Sequence, residues 1–153
     1  MLIDKLNKED YLHWKKLYIG YADFYKMPMN EKILNQVWGW IFEESMQFYA
    51  LGAKTKEGNL IGIMHYRQMP SPLRGIMVGF LDDLFVQPEY RGSGAVQALF
   101  KALKADANDK NWQYVRWITA TDNNRARKVY DKISDTIDFV TYQMSVGQKK
   151  LNI

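Results

Sequence analysis

Cysteine is missing from all 153 residues, which rules out disulfides, thiolate metal ligands and a cysteinyl acyl-enzyme. Histidine is nearly missing too: His13 and His65 are too few for a zinc site of the usual kind, and no metal is expected. No apolar run approaches the ~18 residues that a membrane span needs. Asp4, Lys5, Lys8, Glu9 and Asp10 interrupt the start of the chain, where a secretory signal would place its apolar core. These absences predict a soluble, cytoplasmic protein with no membrane partner. Proline occurs four times, and Pro28, Pro70, Pro72 and Pro88 each read as a break between elements.

What is present is ordinary for a globular chain: 47% hydrophobic and 25% charged residues, enough for a core and against disorder. The length suits a single domain over residues 1–153. The formal charge of +4 is unevenly spread. Residues 1–50 carry six Lys or Arg against seven Asp or Glu, whereas residues 101–153 carry ten against six. A basic C-terminal third suits either nucleic acid or a polyanionic cofactor. No aromatic signature of RNA binding accompanies it, so no nucleic-acid partner is expected.

Residues 1–6 read as a first strand. Asn7, with Asp10 three residues on, forms a variant capping box and opens a helix over about 8–25. Tyr11, Trp14, Leu17, Tyr18, Tyr21 and Tyr25 fall near one stripe of it. Met27-Pro28-Met29-Asn30 ends that helix, and a second over about 31–44 carries Leu34, Val37, Trp38 and Ile41 at helical spacing. These rings either pack a core or line a pocket for an organic amine, with Asp23, Glu43 and Glu44 adding negative potential. Strands over 48–55 and 60–68 flank a glycine turn, and Pro70-Ser71-Pro72 lies in the loop leading to a strand over 78–86. A strand over about 114–119 follows a helix over 92–109, and the strand–helix–strand order makes the two strands parallel. Residues 139–146 alternate and close the sheet, and 147–153 form a polar tail.

The chain is organised around the stretch from Val78 to Ala107. Its strand carries adjacent carboxylates, Asp82 and Asp83, and Pro88 ends the pairing. Arg91-Gly92-Ser93-Gly94 then opens a helix marked by Val96, Leu99, Phe100 and Leu103. A helix start leaves N–H groups unpaired at the positive end of its dipole, and glycines let backbone approach an anion. The same Gly-x-Gly also suits a plain tight turn. A Rossmann fingerprint would need a third glycine near Gln97, and a Walker A loop would need Gly-Lys-Ser/Thr; neither is there.

The whole string from Val86 to Val96 resembles the acetyl-CoA pyrophosphate loop of the GNAT family of N-acetyltransferases. Arg91, Gly92 and Gly94 match, while Val96 stands where the family usually has Gly or Ala. A second match lies about thirty residues on. Asn123, Ala126 and Tyr130 follow the family's Asn-x-x-Ala-x-x-x-Tyr motif, although Ile133-Ser134 replaces its usual Gly-Phe. Alone, the tyrosine would read as a core residue. The resemblance implies a mixed α/β fold: a twisted, mostly antiparallel sheet with one parallel, splayed strand pair and about four helices. Acetyl-CoA would be the cosubstrate, held by Leu84, Phe85, Val86, Arg91, Gly92, Ser93, Gly94, Ala95, Val96, Gln97, Asn123, Ala126 and Tyr130. The aromatic first helix together with Asp82-Asp83-Leu84 looks closest to the diamine and amino-acid acetylating branch, with its spermidine/spermine-like and Hpa-type members.

The expected reaction is direct acetyl transfer to the primary amine of a small cationic molecule such as a polyamine or amino acid. A primary amine, with a pKa of about 10, must lose a proton before it attacks. Asp82 is the favoured base, directly or through water, with Asp83 expected on the opposite face of the strand. By resemblance, Tyr130 is the acid toward the thiolate, and backbone N–H groups at 84–86 polarise the carbonyl. A protein N-acetyltransferase and an inactive CoA-binding regulator stay open, as does a homodimer.

Overall fold

The structure is a computed structural model that describes residues 1–147; the expected tail beyond Gly147 lies outside the described residues. Its contacts gather into two compact units, Met1–Trp117 and a second from Ile118 onward.

The first unit is a five-stranded sheet in the order β1 (Leu2–Lys5), β2 (Phe48–Lys54), β3 (Leu60–Ser71), β4 (Ile76–Val86) and β5 (Val115–Arg116). The first three pairings are antiparallel and β4 runs parallel to β5. β3 is buried without a break from Leu60 to Tyr66, as a strand covered on both faces must be. Helices α1 (Tyr11–Phe24) and α2 (Glu31–Phe42) supply Trp14, Leu17, Leu34 and Val37 to the core on one face, where they meet Ala50 and Ile63. Helix α3 (Ala95–Asp109) supplies Leu99 and Leu103 to the other, against Met64, Tyr66 and Leu81.

The starts of the helices follow from their caps. Asn7 Oδ1 accepts from the Glu9 N–H at 3.0 Å while Asp10 Oδ2 accepts from the Asn7 N–H at 3.0 Å, a reciprocal capping box. It closes a 3-10 turn at Lys8–Asp10, so α1 proper begins at Tyr11. Asn30 caps α2 through the Ile33 N–H at 2.9 Å.

Three expectations need correction. The stretch 70–72 is not a loop: β3 runs to Ser71, with Pro70 opposite Met77. Proline is tolerated there because β2 begins at Phe48, opposite Arg67, and gives β3 no ladder partner beyond it. The last strand of the first unit is shorter than 114–119 and pairs only at Gly79–Val115 and Phe80–Arg116. Past Phe80, β4 has no ladder partner on that side among the described residues, the splayed arrangement that the resemblance implies. Residues 139–146 form no strand; Val140, Tyr142, Met144 and Val146 are all more than three-quarters exposed. Alternation specifies a face, but without a ladder partner it does not make a strand.

In the second unit, α4 (Asn124–Ile133) starts where Asn123 accepts from the Ala126 N–H at 3.4 Å. Ala126, Val129 and Tyr130 share a half-buried face. Ile133 is 43% exposed, and no residue of α4 is fully buried. No helix among the described residues is long and apolar enough to cross a membrane.

Candidate active site

The central feature of the first unit is a break in register. His65 lies opposite Asp83, but Tyr66 lies opposite Leu81, leaving Asp82 as an extra residue in β4. A β-bulge of this kind re-aims side chains that strict alternation would send to opposite faces. Asp83 Oδ2 lies 2.9 Å from His65 Nδ1, and Asp82 Oδ2 lies 3.1 Å from Arg67 Nε. His65 and Arg67 are two apart on β3 and therefore share a face. Both carboxylates thus point to the α1 side, which corrects the expectation that Asp83 turns away.

Helix α1 completes the surroundings. Tyr18 donates its hydroxyl to Asp83 Oδ2 at 3.0 Å. Trp14, fully buried, donates its indole N–H to His65 Nε2 at 2.9 Å. Tyr18 stacks on Tyr21 at 5.9 Å, and Tyr21 meets Tyr25 and Phe85 edge-on. Phe85 also comes close to α1 at Gly20, where a Cβ would lie 3.2 Å from its ring, so glycine sets the helix–sheet distance. Asp23, Glu43 and Glu44 are exposed.

The two carboxyls have opposite electrostatics. Burial pushes Asp82 up to about 6, and the charge of Asp83 adds to this while Arg67 opposes it. Burial also works against the Asp83 anion, but hydrogen bonds from His65, Tyr18 and Tyr21 outweigh it and hold that carboxyl below its ordinary range. The hydroxyls of Tyr18 and Tyr21 are pushed up by burial and by the Asp83 charge. Of the two carboxyls, Asp82 is the one poised to take up a proton.

At the end of β4 a 3-10 turn, Pro88–Tyr90, leads into the glycine loop. Gly92 (φ 81°) and Gly94 (φ 89°) are left-handed, which costs an L side chain but not glycine. Gly94 is the N-cap of α3 and no side chain caps that end. No atom lies within 4 Å of where a Cβ would stand at either glycine, so the loop presents open backbone. Arg91 lies over the Phe24 ring at 5.8 Å, Ala95 is buried, and Val96 packs toward the α3 core. An uncapped helix start with an open glycine backbone and an adjacent guanidinium fits a pyrophosphate. The residues Arg91 to Gln97 would hold it.

The first unit therefore carries Asp82 and Leu84–Phe85–Val86 on β4 and, past the turn at its end, the loop from Arg91 to Gln97. Asn123, Ala126 and Tyr130 lie in the second unit, gathered on one side of α4. His65 and Arg67 belong to no motif of the sequence. Two charged or polar side chains two apart in the apolar run from Leu60 to Tyr66 and just beyond were the signal that could have found them.

The sequence profile of the acetyltransferase (GNAT) family matches residues 12–134. The D-amino-acid N-acetyltransferase HPA3 of Saccharomyces cerevisiae is 24% identical over 94% of this chain and 89% of its own length. Among solved structures, a probable acetyltransferase superposes with a TM-score of 0.85 at 22% identity, covering 97% of this chain and all of the other. AAC(6')-Iy, solved with the bisubstrate analogue CoA-S-monomethyl-acetylneamine, gives a TM-score of 0.80 at 19% identity, covering 95% of this chain and 98% of that one. With its parallel, splayed β4–β5 pair and its glycine loop at the head of α3, the chain belongs to the GNAT acetyltransferase family and is an enzyme that transfers acetyl groups to amines.

Proposed function

We propose that this enzyme transfers the acetyl group of acetyl-CoA directly to the primary amine of a small cationic molecule, a polyamine, an amino acid or a related amine. The observation that carries the reading is the bulge, which places two carboxylates beside the tyrosines of α1. Negative charge next to aromatic rings attracts an ammonium group, and Asp82 is the carboxylate poised to take its proton. The yeast relative, named for D-amino acids, supports a small amine as acceptor.

Acetyl-CoA supplies the thioester carbonyl. The loop from Arg91 to Gln97 binds the pyrophosphate through backbone N–H groups. Within Leu84–Val86, the backbone N–H groups of Leu84 and Val86 face the side of β4 left without a ladder partner, where they orient the acyl arm and polarise the carbonyl; the Phe85 N–H faces β3. Asp82 accepts the ammonium proton, directly or through a water, and becomes a neutral acid before returning the proton to solvent. Asn123 and Ala126 line the pantetheine, and the Tyr130 hydroxyl donates toward the departing sulfur, as the family motif implies. With binding holding amine and thioester together, no protein nucleophile is required. We take the two units as one acetyltransferase domain over 1–153.

The test is thiol release from acetyl-CoA over a panel of diamines, polyamines, D- and L-amino acids, aminoglycosides and N-terminal peptides. Turnover with one of the small amines is expected. Activity confined to peptides, or none over the panel with CoA still bound in calorimetry, would overturn the proposal.

A further inference from the structure

The reaction as read above uses Asp82 and leaves unexplained a buried polar chain behind it. Trp14 and His65 are both fully buried, and each is bonded to the other. An indole N–H can only donate, so the 2.9 Å contact makes His65 Nε2 an acceptor. The single ring proton then sits on Nδ1, directed at Asp83 Oδ2 2.9 Å away. Asp83 thus receives N–H from β3 and O–H from Tyr18 on α1, both from neutral groups. Among the described residues no lysine or arginine is paired with it; the Arg67 guanidinium is paired with Asp82 instead.

We propose that His65 is a positioning residue: the Trp14 indole fixes its proton on Nδ1, and His65 in turn holds Asp83 as a permanent anion beside the bulge, so that proton transfer is confined to Asp82. This rests on the reading of Asp82 as the base. The groups facing the two carboxylates are His65 and Arg67 from β3, Tyr18 and Tyr21 from α1, and each carboxylate from β4. Without the His65 donor, the two adjacent carboxyls would compete for one proton and titrate as a pair. With it, only one of them changes charge across the working range. The bulge brings the carboxylates to one face, and the Trp14–His65 relay makes them unequal.

Three measurements test the idea. Nitrogen-15 NMR of the folded enzyme should show His65 as the Nδ1–H tautomer, with exposed His13 as the only other imidazole in the spectrum. Observation of the Nε2–H form would overturn the proposal whatever the activity. The acidic limb of kcat against pH should be a one-proton limb in the wild type. In His65→Leu it should broaden into two separated one-proton steps, the upper one at higher pH than in the wild type, with KM for acetyl-CoA within about twofold. His65→Gln can donate its amide to Asp83 and accept from Trp14, and should restore the one-proton limb. A His65→Leu enzyme with lower melting temperature but an unmoved one-proton limb would show a merely structural histidine and sink the inference. If His65→Leu does not fold, the His65→Gln limb and the tautomer decide the matter. Failure of the base reading is distinguishable, because Asp82→Asn would then retain the wild-type acidic limb while the Nδ1–H tautomer persists.

Discussion

Two tyrosine–carboxylate pairs lie on opposite faces of the same sheet, and they differ in what else the carboxylate meets. On the α3 face, Tyr66 donates to Asp106 at 2.6 Å and Lys110 reaches the other oxygen at 2.6 Å, one helical turn on. On the α1 face, Tyr18 donates to Asp83 at 3.0 Å, and the second donor is the imidazole of His65. Both carboxyls are held below their ordinary range against the cost of burial. At Asp106 an ammonium places an opposite charge on the carboxylate, which still helps to push up the hydroxyl of Tyr66. At Asp83 the donors are hydroxyls and an imidazole, with no ammonium or guanidinium among its described partners, and its charge helps lift Asp82 to about 6. The lesson is that a hydrogen bond and a counter-ion both keep a carboxylate ionised, but only the counter-ion adds an opposing charge beside it.

The hardest way to break the comparison is to remove one carboxylate from each side. Asp82→Asn should lower kcat by about 10²–10⁴-fold, the ordinary worth of a general base, with KM for acetyl-CoA little changed. Asp106→Asn should leave kcat within about twofold and lower stability by about 1–3 kcal/mol, through the lost charge-assisted bonds to Tyr66 and Lys110. Steady-state kinetics and denaturant unfolding on the same two proteins check both. Equal kinetic losses would mean that the two faces are not functionally distinct.

Next in size is the acid. Tyr130→Phe removes only a hydroxyl, so a donor toward the thiolate should cost about 10–1,000-fold in kcat and leave KM for acetyl-CoA nearly alone. A tyrosine that only packs on the half-buried face of α4 would instead keep full activity and lose at most about 1 kcal/mol. A smaller loss is expected at the loop. Gly94→Val forces a β-branched residue into a left-handed conformation at φ 89°, and should weaken CoA binding by about tenfold in calorimetry.

Much of this architecture is legible in the residues. Asn7 and Asp10 announce the start of the first helix because a capping box is local chemistry, and the parallel β4–β5 pair follows from strand–helix–strand order. The glycine loop is legible for the same reason: φ above zero at Gly92 and Gly94 is a property of those residues. The shared face of Asp82 and Asp83 is not. Alternation sends neighbours to opposite sides, and the bulge that overrides it is set by how β4 registers against His65 and Tyr66, far away in the chain. Residues 139–146 mislead for a related reason. Their pattern names an apolar side, and whether a strand forms depends on pairing that no short window contains.

The smallest effect gives the sharpest comparison, because only its slope with pH matters. Asp82 has a folded value of about 6, above the ~3.9 of an unfolded aspartate. Between those values the folded state binds more protons than the unfolded state, so this residue's contribution to stability falls as pH rises through the window and is fully lost above it. Asp106 is the reverse. Its folded value lies below the unfolded one, so its contribution is present above the ordinary carboxylate range and is lost as pH falls through the folded value. Asp82→Asn should therefore gain on the wild type by about 1–2 kcal/mol between pH ~4 and ~7, a figure reduced for the partial exposure of the side chain. The Asp106→Asn gap should stay flat over that range and close only at lower pH. A constant offset from the lost Arg67 or Lys110 contact does not alter either slope. Parallel curves for the two variants across pH 4–7 would mean that burial and the neighbouring anion do not act on Asp82.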